Sequence, residues 1–352
     1  MHGRNLYLLR FNGRNDNLGD QFIFRALMHA LTDLGSVCVH NGAPAFIESA
    51  PPGHWRLGWR SALTTLRGGA VYNFLPPGGR TWRPPTQAGR AAGSWLKSLK
   101  KTSVELLAGP KVVIGTSVIP TANHSWCKDC AWIGVRDHQS LAALRAAGVA
   151  SAEYFPDLSF LPAPPRPADV QRQGIRVSFR ETIPEAPDPR AYTSRLSEAL
   201  GALAGQLIPD ERHRMSSYYQ VEEDEEFMRQ MSRLHDVPFG AARVTLEAFE
   251  AFYRRADLVV SNRLHGLLMG AYCGAVPVAL TSREHTKVNA LFTTVGWKSL
   301  LLHIEDAREL PDQFAAIRQD IPSLRRMVAA SFDEQRSLGL RILEQRFGGT
   351  AG

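Results

Sequence analysis

Short apolar runs alternate with segments of helical periodicity along this chain, and that alternation constrains its fold more than any other feature. Leu6 to Phe11 is an apolar run, an Asn- and Gly-rich stretch follows from Asn12 to Gly19, and apolar residues then recur at three- and four-residue spacing from Phe22 to Leu34. The first run has the length of a strand, and the periodic segment is typical of an amphipathic helix. Val37 to His40 is the next apolar run. This βαβ pattern favours a parallel sheet covered by helices.

A proline-rich stretch divides the chain into two halves that each follow this alternation. Four prolines stand within nine residues from Leu161 to Asp169, and proline is excluded from helix interiors and central strands. A new apolar run begins at Ile175. The 352 residues also suit two domains better than one. We therefore predict an α/β protein with domains over 1–160 and 175–352, a linker over 161–174, and long helices at the C-terminus.

The positive net charge is confined to the first half of the chain. Residues 1–160 hold 17 Lys and Arg against 9 Asp and Glu, whereas the remainder holds 24 against 25. The excess lies in residues 51–111, the basic Trp-rich segment, which carries ten Lys and Arg against the single Glu105 and holds four of the seven tryptophans. Such a segment suits stacking on sugar rings, attraction of diphosphate groups or contact with an anionic membrane surface. A loose loop region with a few packed aromatic residues is the alternative.

The sequence predicts neither a membrane span nor a metal site. No run of about 18 apolar residues occurs, and the N-terminus lacks the pattern of a secretory signal. Cys38 and Cys273 are isolated in apolar segments that indicate a core, and the pair Cys127 and Cys130 has no second pair to complete a zinc site. The predicted location is therefore the cytoplasm, with peripheral attachment to a membrane through the basic Trp-rich segment as a further expectation.

The most informative local segment runs from Asp257 to Gly266, with the sequence DLVVSNRLHG. An apolar strand is predicted to end at Ser261, followed by a turn and a helix rich in small residues. Ligands bind beyond the carboxyl ends of parallel strands, and a helix start offers free N–H groups to an anion. Arg263 can hold a carboxylate or phosphate through two hydrogen bonds, and His265 can donate a proton near neutral pH. The alternative is structural: Arg263 caps a neighbouring element and His265 is a core residue.

Further basic residues follow other predicted strands of the same half. Arg180 ends the apolar run Val177-Ser-Phe-Arg180, the position that Arg263 has on its own strand. His285-Thr-Lys287 follows the predicted strand from Val276 to Leu280 and adds a third basic group. Because the carboxyl ends of parallel strands meet at one edge, we expect these side chains to converge on a crevice for a ligand with two anionic groups.

Two acidic features are predicted to stabilise helix starts. Asp137 precedes a helical segment and suits an N-cap. The run from Glu222 to Glu226 opens another helix, where negative charge complements the helix dipole. We interpret this run as a solvated helix start rather than a metal site.

The chain resembles the polysaccharide pyruvyl transferases in a series of short motifs. They occur in the family's order between residues 6 and 296, and the Arg-Leu-His-Gly element is the most specific of them. The matching segments are Asn17-Leu-Gly-Asp20, Gly115-Thr-Ser117, Val135-Arg-Asp137 with Ser140, Pro156-Asp157-Leu-Ser-Phe160, Val177-Ser-Phe-Arg180, Ser261-Asn-Arg-Leu-His-Gly266, Gly274-Ala-Val-Pro277 and Lys287. The basic Trp-rich segment and the tail after residue 300 find no counterpart.

This resemblance implies a fold and a reaction. The fold is GT-B-like, with two Rossmann-like halves facing across a cleft, an N-terminal acceptor side and a C-terminal donor side. The donor is phosphoenolpyruvate, a co-substrate, and no cofactor is implied. The acceptor is a sugar of a bacterial exopolysaccharide or cell-surface polysaccharide, carried as a lipid-linked oligosaccharide or polysaccharide at the inner membrane. Pyruvate is placed on two hydroxyls of one sugar as a ketal, and phosphate is released.

The resemblance also implies roles for individual residues. The implied donor ligands are Arg180, Arg263 and His265, and Asn262 and Lys287 are predicted to bind the donor with them. We hypothesise that His265 is the acid that protonates the methylene carbon of the donor, and the alternative is that it only holds the phosphate. Asp20 is the candidate base for the sugar hydroxyl, and an N-cap role for a helix starting at Gln21 is its alternative.

Two other classes of protein fit parts of the sequence. A nucleotide-sugar-dependent glycosyltransferase shares the GT-B fold, but it needs a strand-end Asp or Glu for sugar hydroxyls, where the segment 261–265 offers Asn, Arg and His. Binding of nucleic acid is suggested by the net charge of +7 alone. No RNP, KH, zinc-finger or basic-helix pattern accompanies that charge, so nucleic acid is not a predicted partner.

Overall fold

The structure is a computed structural model that describes most of the chain outside the basic Trp-rich segment. The described residues are 5–10, 17–40, 64, 69–75, 78–80, 109–118, 124–165, 172, 174–207, 215–240 and 245–348. The predictions for the basic Trp-rich segment lie for the most part outside them, as do residues 166–171 and 173 of the predicted linker. Cys38 and Cys273 are buried, which confirms their predicted place in the core.

Helices and strands alternate along the described residues, as the sequence pattern predicts. The helices are α1 (Leu18–Thr32), α2 (His138–Ala146), α3 (Pro189–Gly205), α4 (Glu225–Leu234), α5 (Leu246–Arg254), α6 (Leu264–Tyr272), α7 (Thr286–Thr294), α8 (Leu310–Gln319) and α9 (Ile321–Phe347). The strands are β1 (Leu6–Arg10), β2 (Ser36–His40), β3 (Val71–Phe74), β4 (Gly78–Arg80), β5 (Lys111–Val118), β6 (Cys130–Val135), β7 (Ala152–Tyr154), β8 (Ile175–Ser178), β9 (Met215–Ser217), β10 (Leu258–Ser261), β11 (Val276–Thr281) and β12 (Leu301–His303). The strands β3, β4, β9 and β12, which have three or four residues each, were not predicted from the sequence.

Contacts divide the chain into two compact units. The first comprises Met1–Asn15, Ile23–Pro162 and Arg336–Gly352, and the second comprises Asp16–Phe22 and Ala163–Gln335. The predicted domains follow the order of the chain. The contacts instead assign the start of α1 to the second unit and the end of α9 to the first.

The first unit is built on a parallel sheet with the strand order β2-β1-β3-β5-β6-β7, and β4 also pairs with β5. The end of α9 belongs to this unit because its last aromatic ring is part of the core. The Phe347 ring lies 4.9 Å from Tyr72 and 5.7 Å from Trp132, measured between centroids. The backbone carbonyl oxygen of Phe347 accepts hydrogen bonds from Asn5 Nδ2 at 2.8 Å and from the Tyr7 hydroxyl at 2.7 Å.

A buried polar network joins the ends of β5, β6 and β7 in the first unit. Arg136 Nη1 forms an ion pair with Asp157 Oδ2 at 2.7 Å, and both side chains are at most 2% exposed. Arg136 Nε donates to Ser117 Oγ at 2.8 Å, and Ser117 donates to Asp137 Oδ2 at 2.7 Å. Asp137 also accepts from Ser140 N at 2.6 Å, which confirms it as the N-cap of α2. These motif residues therefore have a structural role.

The second unit is built on a parallel sheet with the strand order β12-β11-β10-β8-β9. The small residues of α6 allow it to pack closely on this sheet. A Cβ added at Gly270 would lie 2.6 Å from Val259 Cγ2 on β10. Only glycine therefore permits this separation of helix and strand without displacement.

Candidate functional site

The carboxyl edge of the second sheet contains a point at which the strand order reverses. From β8 the chain adds β9 on one side and β10, β11 and β12 on the other. Ligands of open parallel sheets bind at such a switch point, just beyond the carboxyl ends of the two strands that flank it. The strands that flank it here are β8 and β10, and they are followed by Arg180 and Arg263.

The register of these strands sets the two arginines level with each other. Ser178, the last residue of β8, pairs with Ser261, the last residue of β10. Arg180 and Arg263 each stand two residues further along. The Ser261 hydroxyl donates to the Ser178 carbonyl and accepts from Arg263 N at 2.9 Å, so it also fixes the turn after β10.

Asn262 links the two strand ends through its side-chain amide. The amide oxygen accepts from Arg180 N at 2.8 Å, and the amide nitrogen donates to the Arg180 carbonyl at 2.9 Å and to the Tyr192 hydroxyl at 2.8 Å. Asn262 is 1% exposed. We therefore assign Asn262 to fixing the backbone that carries Arg180, and its direct contact with a donor stays a prediction.

Helix α6 begins directly after Arg263, which is its N-cap residue and makes no side-chain capping hydrogen bond. His265 lies in the first turn of this helix. The uncapped start directs N–H groups and the positive end of the helix dipole towards the edge of the sheet. This combination suits an anionic ligand.

Two carboxylates contact the arginines from a 3-10 turn at Glu222–Asp224. Arg263 Nη2 forms a close ion pair with Asp224 Oδ2 and lies 3.6 Å from Glu223 Oε1. Arg180 Nη2 lies 3.9 Å from the same Glu223 oxygen. A single carboxylate oxygen therefore bridges the two arginines.

The acidic run has a different environment at each position. Glu222 and Glu226 are exposed, as expected for a solvated helix start. Asp224 is 3% exposed, so the prediction is wrong for this residue. The sequence pattern failed because the ion pair with Arg263 depends on tertiary packing, which charge periodicity does not encode.

Burial dominates the electrostatics of the Asp224 and Arg263 pair. It raises the pKa of Asp224 to about 6, although the neighbouring Arg263 acts in the opposite direction. Burial also lowers the pKa of Arg263, while Asp224 raises it. The buried Nε of Arg263 has no hydrogen-bond partner within the described part of the chain. Since buried polar atoms are nearly always paired, this unsatisfied donor is compatible with a ligand bound beside Arg263.

The loop after β11 adds a third cation to the same edge. Lys287 lies in the first turn of α7. Burial, followed by the positive charges of Lys287, Arg180 and Arg263, lowers the pKa of His285 to about 3. His285 is therefore neutral, and Lys287 is the basic group of the predicted segment His285-Thr-Lys287. The three cations act on this one imidazole, so they share one electrostatic environment.

The first turn of α1 lies against His265. A Cβ added at Gly19 would lie 2.7 Å from His265 Cβ and 2.3 Å from Gln220 Nε2. Gln220 Nε2 also donates to Asn17 Oδ1 at 3.1 Å. Gln220, which the sequence analysis did not identify, therefore ties the start of α1 to the rest of the second unit.

Asp20 lies in this first turn of α1. The helix begins at Leu18, and Asn17 Oδ1 accepts from Gly19 N at 3.1 Å and from Asp20 N at 3.4 Å. The cap is therefore Asn17, and the alternative that Asp20 caps a helix starting at Gln21 is wrong. The catalytic role of Asp20 stays a prediction.

The described residues were searched for metal-binding groups and for membrane-spanning helices. They contain no group of three or more His, Cys, Asp or Glu side chains arranged to bind a metal ion. None of their helices combines the length and apolar character that a membrane crossing requires.

Several solved structures are similar to this chain in fold, at low sequence identity. The S. aureus MnaA co-structure with UDP matches with a TM-score of 0.57 and 10% identity over 97% of this chain and 95% of that chain. A glycosyltransferase from Rickettsia africae ESF-5 matches with a TM-score of 0.57 and 8% identity over 97% of both chains. UDP-GlcNAc 2-epimerase from Methanocaldococcus jannaschii, in complex with UDP-GlcNAc and UDP, matches with a TM-score of 0.54 and 9% identity over 98% of this chain and 100% of that chain.

These likenesses, together with the two parallel sheets, define an α/β protein of the GT-B-like class and confirm the predicted fold class. The sequence model of the polysaccharide pyruvyl transferase family matches residues 17–284, and the chain belongs to that family. The resemblance carried by the motifs is thereby confirmed. A sequence search of curated proteins finds no match.

Proposed function

We propose that the protein transfers pyruvate from phosphoenolpyruvate to a sugar of a bacterial exopolysaccharide or cell-surface polysaccharide, forming a ketal and releasing phosphate. The observation that carries this proposal is the position of Arg180 and Arg263, level with each other two residues beyond the ends of the two strands that flank the switch point. Membership of the polysaccharide pyruvyl transferase family supports the same reaction.

The charges at this edge suit the proposed donor. Phosphoenolpyruvate carries a phosphate and a carboxylate close together, and the planar guanidinium group binds either of them with two hydrogen bonds. Arg180, Arg263 and Lys287 supply three positive charges around one imidazole. Two of these cations can face the phosphate while the third faces the carboxylate.

The proposed reaction proceeds in two additions to C2 of the donor. An acid protonates the methylene carbon, which becomes the methyl group of the product and leaves an oxocarbenium-like centre at C2. One sugar hydroxyl adds to C2 and gives up its proton to a base. The C2–O bond to phosphate then breaks, and the second hydroxyl of the same sugar closes the ketal. Of the two hydroxyl protons, one replaces the proton used at the methylene carbon and the other leaves with phosphate.

His265 and Asp20 are the candidates for these proton transfers. His265 follows the donor arginine in the first turn of α6, and the first turn of α1, which contains Asp20, packs against it at Gly19. We assign His265 the acid role and Asp20 the base role because positioned proton donors and acceptors of these types perform such steps.

The direct test supplies purified protein with phosphoenolpyruvate and a lipid-linked oligosaccharide from the source organism. We expect phosphate release that depends on both substrates and an oligosaccharide product carrying an acid-labile pyruvyl ketal in mass and NMR spectra. Arg190→Met, which changes an exposed arginine of α3, serves as the active control and Arg180→Met as the impaired variant. Phosphate release without a modified sugar would contradict the transferase proposal.

The membrane association of the basic Trp-rich segment is a separate part of the proposal. Its ten Lys and Arg against one Glu favour an anionic surface. We expect the protein to sediment with anionic liposomes at low salt and to be released as salt screens the attraction. Equal binding to neutral vesicles would contradict this attachment.

A nucleotide-sugar-dependent glycosyltransferase is the second candidate, since solved structures of this fold include complexes with UDP and UDP-GlcNAc. The same purified protein separates the two candidates. Under the second candidate, nucleotide sugars are consumed in the presence of the acceptor with release of the nucleotide, and phosphoenolpyruvate is left unchanged.

A further inference from the structure

Glu223 is the one exposed carboxylate that contacts both donor arginines among the described residues. Its Oε1 lies 3.6 Å from Arg263 Nη2 and 3.9 Å from Arg180 Nη2. These separations are longer than a direct charge-assisted hydrogen bond, and the side chain is 44% exposed. The contact is therefore weak and open to exchange with another anion.

Asp224 contacts the same arginine in a different way. It forms the closer ion pair with Arg263, and its side chain is 4% exposed. Breaking a buried ion pair is far more costly than breaking an exposed one. A donor that enters this edge can therefore replace Glu223 while Asp224 stays in place.

We propose that the two neighbouring acids have opposite roles in the donor site: Asp224 positions Arg263, and Glu223 occupies the place of a donor oxygen between Arg180 and Arg263 until the donor displaces it. This inference rests on the proposed function for the identity of the donor. The ligand position itself is defined by chemistry alone, as an anionic oxygen held between two guanidinium groups.

A second observation indicates that the position is built for a ligand. Arg263 is buried for nine-tenths of its side-chain surface, and its Nε lacks a hydrogen-bond partner within the described residues. An internal carboxylate that completed the site would be expected to satisfy this donor. Glu223 does not reach it with a hydrogen bond, so the arginine retains capacity for an oxygen that Glu223 does not supply.

The first experiment removes the charge of Glu223 and measures binding of inorganic phosphate and phosphoenolpyruvate by calorimetry at neutral pH. Glu223→Gln is expected to bind both anions roughly two- to fivefold more tightly than the unchanged protein, because an exposed ion pair of this kind no longer competes. Glu226→Gln is the matched control, since Glu226 lies one turn away and pairs with the exposed Arg233. Unchanged or weaker binding by Glu223→Gln, or equal tightening by Glu226→Gln, would overturn the role of Glu223.

The second experiment addresses Asp224 with two variants of different shape. Asp224→Ala removes the oxygens that hold Arg263, and anion affinity is expected to fall roughly five- to tenfold. Asp224→Asn keeps an oxygen acceptor and is expected to restore binding to at least the original level. A merely structural role for Asp224 predicts that both variants lose stability together with binding. Equal anion affinity in Asp224→Ala and the unchanged protein would contradict the positioning role.

The two probes separate this inference from the proposed function. If phosphoenolpyruvate binds no better than inorganic phosphate and no sugar is modified, the proposed function fails. The opposite shifts of Glu223→Gln and Asp224→Ala with inorganic phosphate would still support the assignment of the two acids. Loss of those shifts in a protein that forms the ketal would refute the assignment and leave the function intact.

Discussion

Arg136 in the first unit and Arg263 in the second are both largely buried, both follow a parallel strand and both contact a carboxylate, yet their surroundings differ. Arg136 donates through Nε to Ser117 and through Nη1 to Asp157. Arg263 has a buried Nε without a hydrogen-bond partner in the described residues. The contacts of Arg136 on several sides stabilise the fold. Arg263 combines its unsatisfied Nε with further cations close by, which favours the binding of an anion.

The charges around Arg136 also differ from those around Arg263. The network around Arg136 includes the carboxylates of Asp137 and Asp157. Around Arg263, the cations Arg180 and Lys287 act on the same imidazole of His285. By formal charge the first cluster holds one arginine against two carboxylates. The second holds three cations against Glu223 and Asp224, so it keeps a net positive charge that an anionic ligand would neutralise.

The largest expected effect comes from breaking the buried ion pair of the first cluster. Arg136→Met leaves Asp157 buried without its ion-pair partner, and we expect a loss of about 3–5 kcal/mol in the free energy of unfolding, measured with denaturant. The exposed Arg145 of α2 provides the control as Arg145→Met, with little expected change. A loss below about 1 kcal/mol in the free energy of unfolding of Arg136→Met would contradict the structural role of Arg136.

The next effect decides whether the second cluster performs chemistry or only binds. If His265 is the acid, His265→Gln should lower turnover by about two to four orders of magnitude and leave the Michaelis constant of the donor nearly unchanged. If His265 only contacts phosphate, the Michaelis constant should rise instead while turnover is retained. Steady-state kinetics with varied phosphoenolpyruvate separates the two results. If His265 acts as an acid, turnover at saturating donor should also fall with rising pH.

A third test changes the close packing of Gly19 against His265 in the second unit. Gly19→Ala places a methyl group 2.3 Å from Gln220 Nε2 and 2.7 Å from His265 Cβ, so both side chains must move. We expect a loss of about 1–3 kcal/mol in stability from this overpacking, together with reduced turnover. Gly205→Ala is the control, because nothing lies within 4 Å of its added Cβ. Unimpaired turnover in Gly19→Ala would show that the position of His265 is not critical.

The smallest expected effect concerns pH and the charge balance of the second cluster. The pKa of Asp224 is raised to about 6 from an ordinary value of 3.8, so this carboxyl is ionised at neutral pH and loses its charge as the pH falls through about 6. Sulfate, whose own charge is constant in this range, should bind roughly three- to tenfold more tightly below that pH.

The Asp224→Asn variant isolates this carboxyl from other titrating groups. It should bind sulfate tightly throughout and lose most of the change near pH 6, and calorimetry at several pH values measures both proteins. His285 stays neutral over this range because its pKa is about 3. The same pH dependence in the variant and the unchanged protein would assign the effect to another group, such as His265.

The sequence predicted the elements whose cause is local. The alternation of apolar runs and helical periods predicted the two α/β halves, and the residues that follow β8 and β10 could be identified because strand ends can be recognised from sequence. The assignment of the end of α9 to the first unit could not be predicted, because it depends on where Phe347 packs. The burial of Asp224 was missed for a similar reason: an isolated acidic run resembles a solvated helix start until Arg263 is placed beside it.

The central claim is that the arginines at the switch point of the second unit form the donor site. Its most direct test is a calorimetric titration of phosphoenolpyruvate into the unchanged protein, Arg180→Met, Arg263→Met and the exposed control Arg190→Met, with unfolding measured on the same samples. Each of the two arginines is assigned a charge-assisted contact with the donor, worth roughly 1.5–3 kcal/mol. Affinity should therefore fall about ten- to a hundredfold in the first two variants and remain unchanged in the third. Arg180→Met, whose backbone is held by Asn262, should remain as stable as the control. Binding of phosphoenolpyruvate by folded Arg180→Met and Arg263→Met with the affinity of the unchanged protein would contradict the account.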